Sequence, residues 1–484
     1  MNIFFINTLR KKFQALDAVG NKSRYMQKQL IFILLFLITR LHAQMLTPES
    51  FIKLIRQNHP IAKQANIQVE KAQADYKAAL GSFDPAFTFD ASQKTLAGKN
   101  YYYYINPQIK IPTQFAGIDV KSGIERNGGQ FLSPQTTSGQ SAYLGAELPL
   151  VKGLLIDKRR AALQQAKLYI GMSEQERNQQ YNELIFDAYN QYWQWSAAYQ
   201  LFKVYQQFLD ISQNRFRLIK IGYQNGERSV ADTIEAFTQL QQFVVQQMEA
   251  EVKLNTARFE LSNYLWDDQS SPVDLIEKAV PDTVEFFLWK NQQLEFLLRQ
   301  IDTDVPVLKS YAYKLKILEV EKKLKYQSLL PSVNLKANLL NKGYNVLKGF
   351  DMAFLQNNYN WGIDVKIPFL MREGKGEYKK AQLKIAETKL EIDLKKRTLE
   401  NKVRSYYNEI QLIKQQIESL QNLLNGYNSL LRAENIRYQS GESSLFLVNS
   451  REMKVIEATE KLISLRQKYL KANLSAEWVA GIIR

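Results

Sequence analysis

The segment Tyr223-Gln224-Asn225-Gly226-Glu227-Arg228-Ser229-Val230 returns 215 residues later as Tyr438-Gln439-Ser440-Gly441-Glu442-Ser443-Ser444-Leu445. Each copy interrupts a very long amphipathic helical pattern. Glycine supplies the positive φ at which a helix can stop, and Ser229 or Ser444 then serves as N-cap for a helix that starts at once. One glycine turn of this kind says little. Two matching copies divide the chain into two similar halves.

Prolines extend the repeat beyond the turns. Pro60 and Pro306 are 246 residues apart, as are Pro85 and Pro331, whereas Pro149 and Pro368 are separated by only 219. The first half therefore holds about 27 additional residues between Pro85 and Pro149, the length of one extra hairpin.

Composition narrows the class. With 484 residues, 45% of them hydrophobic and 23% charged, the chain can bury large surfaces and is not a disordered polymer. Only 12 prolines and 21 glycines leave room for long unbroken helices. Cysteine is absent, which excludes disulfides, thiolate metal sites and a lipid-bearing cysteine. His42 and His59 are the only histidines, so histidine catalysis or a histidine metal cluster has no partners to draw on.

Residues 1–43 have the pattern of a secretory signal peptide: Lys28, an apolar run from Leu30 to Thr39, then Leu41-His42-Ala43 before Gln44. A run of ten residues is too short to span a bilayer, which takes about 20. The stretch before Met26 is long for such a leader, and Met26 is an alternative start. Removing residues 1–43 takes away seven Lys/Arg and one Asp, lowering the formal charge from +16 to about +10. The basic residues from Arg372 to Arg404 alternate with Glu373, Glu377, Glu387, Glu391, Asp393 and Glu400. That is a solvated helix face rather than a nucleic-acid surface.

In the mature chain, Thr47-Pro48 opens a helix to about Asn58, and Pro60 restarts it to about Leu80. The second half repeats this between about Trp289 and Leu330. From Pro85 to Pro149 the period becomes two, as in Phe87/Phe89, Ile118/Val120 and Leu144/Ala146/Leu148. Val333/Leu335/Ala337/Leu339 and Trp361/Ile363/Val365/Ile367 alternate likewise in the second half. Tyr101 to Tyr104 and Trp361 suit an interfacial aromatic girdle. A helix of some 66 residues then runs from about Ile156 to Gly222, close to 100 Å at about 1.5 Å per residue. Its apolar positions Tyr181, Ala188, Trp195, Phe202, Leu209 and Phe216 keep a heptad period, as do Val403, Ile410, Ile417, Leu424 and Leu431, with Tyr406, Ile413, Leu420 and Tyr427, in the second half. Antiparallel helices return from about Ser229 to Trp266 and from about Ser444 to the C-terminus.

Four to six amphipathic strands cannot close a membrane barrel within one chain, and open edges are not tolerated in hydrocarbon. Several chains must pool their strands, with the long helices projecting from one end. The leader, the duplicated helix-strand-helix plan and the paired Tyr-x-x-Gly turns together resemble the TolC-like outer-membrane efflux family, over about Leu46 to Ile483. The resemblance implies a mainly α chain with membrane β: a homotrimeric outer-membrane β-barrel of 12 strands, four per chain, continued by a coiled-coil periplasmic tunnel. It divides the chain into a leader 1–43, a first repeat 44–267, an equatorial linker 268–288 and a second repeat 289–484. The implied partners are outer-membrane lipid, a periplasmic membrane-fusion adaptor and an inner-membrane pump of RND or ABC type, with no cofactor and no nucleic acid. The implied location is the outer membrane of a Gram-negative bacterium, reaching into the periplasm. Tyr223, Gly226, Glu227, Ser229, Tyr438, Gly441, Glu442 and Ser444 correspond to adaptor-binding tunnel tips. Asp232, Tyr438, Leu447 and Ser450 correspond to the tunnel constriction. Leu447 and Ser450 depart from members that carry acidic residues there, so apolar contacts can replace an acidic ring. The extra hairpin is a second departure, open to two readings: it widens the barrel or caps its outer mouth.

The function expected is passive conduction of small molecules or proteins to the exterior, in tripartite efflux or type I secretion. A periplasmic or surface coiled-coil scaffold without a pore is the alternative, but it has no use for amphipathic strands. An enzyme is not expected. The carboxylate pair Glu373 and Glu377 is an i, i+4 neighbour pair on a helix face, with no phosphate loop or nucleophile motif beside it.

Overall fold

The computed structural model describes residues 45–132, 136–275, 279–289, 293–342 and 357–483. The expected leader and its alternative start at Met26 lie outside the described residues. Each half begins with two helices broken by proline: α1 (Pro48–Asn58) and α2 (Pro60–Leu80) in the first. Thr47 caps α1 by accepting the Ser50 amide at 3.3 Å, and Pro48 sits where no backbone donor is needed. Four strands follow, β1 (Ala86–Leu96), β2 (Lys99–Pro112), β3 (Asp119–Gly128) and β4 (Gly139–Pro149). Then come α3 (Lys158–Gln224) and the returning α4 (Val230–Ser262). The second half supplies α5 (Leu294–Thr303), α6 (Pro306–Gln327), β5 (Ser332–Lys342), β6 (Tyr359–Lys366), α7 (Arg372–Gln439) and α8 (Leu445–Val479). The helix-strand-helix order thus recurs, with β5 and β6 in one half, among the described residues, where the other has β1 to β4.

These six strands form one antiparallel sheet in the order β1-β2-β3-β4-β5-β6, separate from a two-residue parallel pair of Met45–Leu46 with Val280–Pro281. The register puts Phe87, Phe89, Ile105, Ile109, Ile111, Leu144, Leu335, Ile363 and Val365 on one face. Asp90, Asn106, Gln108, Lys121, Glu147, Lys336 and Asp364 lie on the other. The apolar side chains stand in the open, Phe87 at 68% and Val365 at 57% exposure. A sheet with a naked apolar face and two unpaired edges is not a finished structure in water.

Away from the sheet, the helices bury a continuous core that joins the two halves. Phe51, Ile55, Tyr192, Trp195, Leu261, Leu297, Ile417 and Tyr469 are fully buried in it. Both heptad seams enter this core, with Ala188, Trp195, Val403, Ile410 and Ile417 at its centre. The Tyr192 hydroxyl donates to the Leu46 carbonyl at 2.7 Å, tying the start of the described chain to the middle of α3. The charged face of α7 is not simply solvated. Lys314–Glu391 (3.0 Å), Lys384–Glu321 (3.0 Å) and Lys325–Glu377 (2.6 Å) link it to α6. Glu377 is thereby occupied as an ion-pair partner. These pairs are partly exposed, and they tie α7 to α6 at three places along their length.

Candidate functional site at the helical tips

The two glycine turns have the same hydrogen-bond geometry. At the first, the Glu227 amide donates to Gly222 O (2.8 Å) and the Gly226 amide to Tyr223 O (3.0 Å). At the second, Glu442 donates to Arg437 O (2.8 Å) and Gly441 to Tyr438 O (3.1 Å). This paired pattern closes a helix whose next residue is left-handed. Gly226 and Gly441 have φ of 76° and 79° with nothing within 4 Å of where a side chain would begin. Glycine is needed at both for backbone freedom, and the turn surface itself is open.

The caps then differ between halves. Ser229 accepts the Asp232 amide (3.1 Å) while Asp232 Oδ2 accepts the Ser229 amide (3.2 Å), a complete capping box. Ser444 accepts the Leu447 amide at 3.4 Å, but Leu447 offers no carboxylate in return. Asp232 and Leu447 are therefore matching positions, each six residues past its glycine. The acidic residue expected at a constriction is here engaged in closing its own helix.

Of the tip residues, Tyr223, Glu227 and Glu442 are exposed, whereas Tyr438 packs inward. Tyr438 lies against Ile219, Ala236 and Leu445, and the Arg228 guanidinium sits 4.9 Å from its ring centre. The first turn thus clamps the aromatic residue of the second through a cation–π contact. The buried Tyr438 hydroxyl has no hydrogen-bond partner in the described chain, and burial pushes its pKa up. Leu447 and Ser450 are exposed, and Ser450 lines a groove between α4 and α8 with Glu235, Gln239 and Met453.

Beside the tips lies a network that sequence reasoning missed. Arg215 of α3 forms a two-point ion pair with Glu452 of α8, with Nη1 2.8 Å from Oε2, and also donates to Asn449 Oδ1 at 3.1 Å. Asn449 in turn donates to Glu235 of α4 at 3.2 Å. The Glu452 side chain is 4% exposed and that of Arg215 17%. Three of the four long helices meet here, across both halves. Further along α7, Glu434 is buried and takes the Ser443 hydroxyl and the Arg451 guanidinium. No local pattern marks Arg215 and Glu452, which are 237 residues apart.

The family model described as outer membrane efflux protein matches residues 51–265 and 306–476. Solved structures share the fold. The CmeC outer membrane channel of Campylobacter jejuni aligns with a TM-score of 0.62 at 16% identity, over 90% of this chain and 85% of that one. VceC of Vibrio cholerae aligns at 0.61 and 13%, over 90% and 96%. The MtrE outer membrane channel of Neisseria gonorrhoeae, solved in its open state, aligns at 0.60 and 14%, over 90% and 89%. No curated protein matches by sequence. The two matched segments of the family model fall one in each half and together take in most of the chain. The chain belongs to the outer membrane efflux protein family.

Proposed function

We propose that this outer membrane efflux protein works as a homotrimer, whose pooled sheets form a barrel in the outer membrane and whose long helices form a tunnel through the periplasm. The observation that carries the reading is the six-stranded sheet with an exposed apolar face, a polar face and two free edges. Hydrocarbon can cover the apolar face, and only other copies can satisfy the edges. A second observation points the same way. Along α4, Val245, Val252 and Phe259 stand exposed at heptad spacing, with Met248 between them, a seam with no partner among the described residues.

Conduction is passive in this reading, and the pump supplies the energy. An adaptor protein from the periplasm engages the tips around Gly226 and Gly441, and an inner-membrane pump of RND or ABC type delivers the cargo. Engagement parts α8 from α3 and α4 at the Arg215–Glu452 tie, and the tip opens. Asp232, Tyr438, Leu447 and Ser450 surround the closing point, with apolar and aromatic contacts in place of an acidic ring. The chain reaches from a Gram-negative outer membrane into the periplasm, and it performs no chemistry on its cargo.

Because the chain has no cysteine, edge pairing can be tested cleanly. Single cysteines along β1, such as Thr88→Cys, combined with single cysteines along β6, such as Asp364→Cys, should give an oxidised trimer ladder in membranes. Monomers alone for every pair along the two edges would overturn the reading.

A further inference from the structure

We infer that the hairpin β2–β3 is a pair of barrel staves, so that this chain contributes six strands and three copies close an 18-stranded barrel. The inference rests on the trimer proposed above and concerns what each copy brings to the wall. The hairpin is the insertion signalled by the proline spacing. Lys99–Gly128 has no counterpart among the described residues of the second half, where β5 and β6 are direct neighbours in the sheet.

Three observations place the hairpin in the wall rather than over the mouth. First, it is paired along both sides, with one register shift between Lys94 and Thr95. β2 pairs with β1 from Ala86↔Lys110 to Leu96↔Lys99, and β3 pairs with β4 from Asp119↔Glu147 to Asn127↔Gly139. β1 and β4 are not neighbours in the sheet, because the hairpin lies between them. At 14 and 10 residues, β2 and β3 match the 11 of β1 and β4, and about 9–11 tilted residues cross a bilayer. Second, its faces agree with those of its neighbours. Ile105, Ile109, Ile111, Val120 and Ile124 continue the apolar face of Phe87, Phe89, Leu144 and Ala146, whereas a hairpin capping the mouth in water would have no use for that stripe.

Third, the polar face is locked across the hairpin. The Tyr143 hydroxyl on β4 crosses β3 and donates toward Asn106 Oδ1 (3.1 Å) and Gln108 Oε1 (3.0 Å) on β2. The strand between carries Gly123, where a Cβ would lie 2.6 Å from that hydroxyl and 2.8 Å from Pro107 O. At the helical end, Asp119 of β3 bridges Lys110 of β2 (2.8 Å) and Arg159 of α3 (2.8 Å), fixing the hairpin to the first turn of the long helix.

Barrel width follows from strand number. With strands about 4.8 Å apart and tilted about 40°, a 12-stranded wall has a Cα diameter of about 24 Å and an 18-stranded wall about 36 Å, roughly a twofold larger cross-section. Strand counts of 16–18 leave an open aqueous lumen. The barrel would then be a wide vestibule, and the constriction would sit at the helical tips.

The test is a single-particle structure of the full mature chain in lipid nanodiscs, with its mass measured in the same sample. Eighteen strands in a trimer, at about 36 Å, is the expected result. A trimer of 12 strands with residues 99–128 outside the wall overturns this inference and leaves the trimer standing. A 12-stranded dimer with residues 99–128 in the wall overturns the trimer and the count of 18 and keeps the hairpin as staves. Spin labels on single cysteines give an independent measure in the intact chain. Labels at Ile109 and Ile124 should be open to oxygen and shielded from a water-soluble relaxation agent, and labels at Gln108 and Lys121 the reverse. The same aqueous accessibility on both faces would refute the stave assignment.

Discussion

Replacing Arg215 with alanine should loosen the closed tip. The Arg215–Glu452 pair is buried, and among the described residues no other cation pairs with Glu452 once the guanidinium is gone. Leaving a buried carboxylate without its cation costs about 3–5 kcal/mol if nothing moves. The helices have a cheaper response, because parting α8 from α3 lets water reach Glu452. What opposes parting is the small cluster of Ile219, Ala236 and Leu445 with Phe216 and Tyr438. At about 1.4 kcal/mol per decade, the docked-to-parted equilibrium at each tie should shift by roughly 10²–10⁴-fold. In planar-bilayer recordings this should appear as a large rise in open probability, with the barrel still inserted. The double variant R215Q/E452Q should recover much of the closure, because no buried charge is left unpaired. R215A recordings as quiet as the parent's, with unchanged thermal stability, would show that the tie does not hold the tip.

Other substitutions probe separate parts of the account. Gly226→Val and Gly441→Val force a β-branched residue to φ near +76° and +79° in open space, so each costs strain of about 1–2 kcal/mol and no clash. Both should abolish export while sparing membrane insertion, and export at the parental rate would contradict a role for the turns. His59 caps α2 by accepting the Ile61 amide at Nδ1 (3.2 Å) and stacks 5.8 Å from Tyr264. Burial lowers its pKa below 6.5, so the unfolded chain takes up the proton first and stability falls as pH drops from about 6.5 through the folded value. The melting temperature should therefore fall more between pH 7 and 5 in the parent than in His59→Asn, and equal shifts would argue against it. Trp195→Ala empties a fully buried site where both halves meet and should cost about 3–5 kcal/mol, read as a lower Tm with the sheet unchanged.

Much of this molecule is legible in the sequence because its determinants are local. Thr47-Pro48, Gly226 with Ser229 and Gly441 with Ser444 announce helix ends within a few residues, and the structure puts caps at each. Heptad and alternating patterns similarly reported Trp195, Val403 and the faces of β4 and β5. The inserted hairpin was visible as excess length, about 27 residues from the prolines against the span Lys99–Gly128. What stayed hidden depends on contacts between distant segments. Arg215 meets Glu452, Arg228 covers Tyr438, and Tyr143 reaches across Gly123, each through packing that no spacing rule encodes. Asp232 is intermediate: the Ser229-to-Asp232 spacing is itself a capping signal, and that local role is the one its carboxylate performs in the chain.

The central claim, that copies of this chain close into a gated conduit in the outer membrane, is tested most directly by planar-bilayer conductance of the purified mature chain, with its oligomeric mass determined in the same detergent. A trimer that inserts and shows small, rarely opening conductance is the predicted result. A monomer that remains water-soluble and never inserts would contradict the barrel and favour a scaffold without a pore.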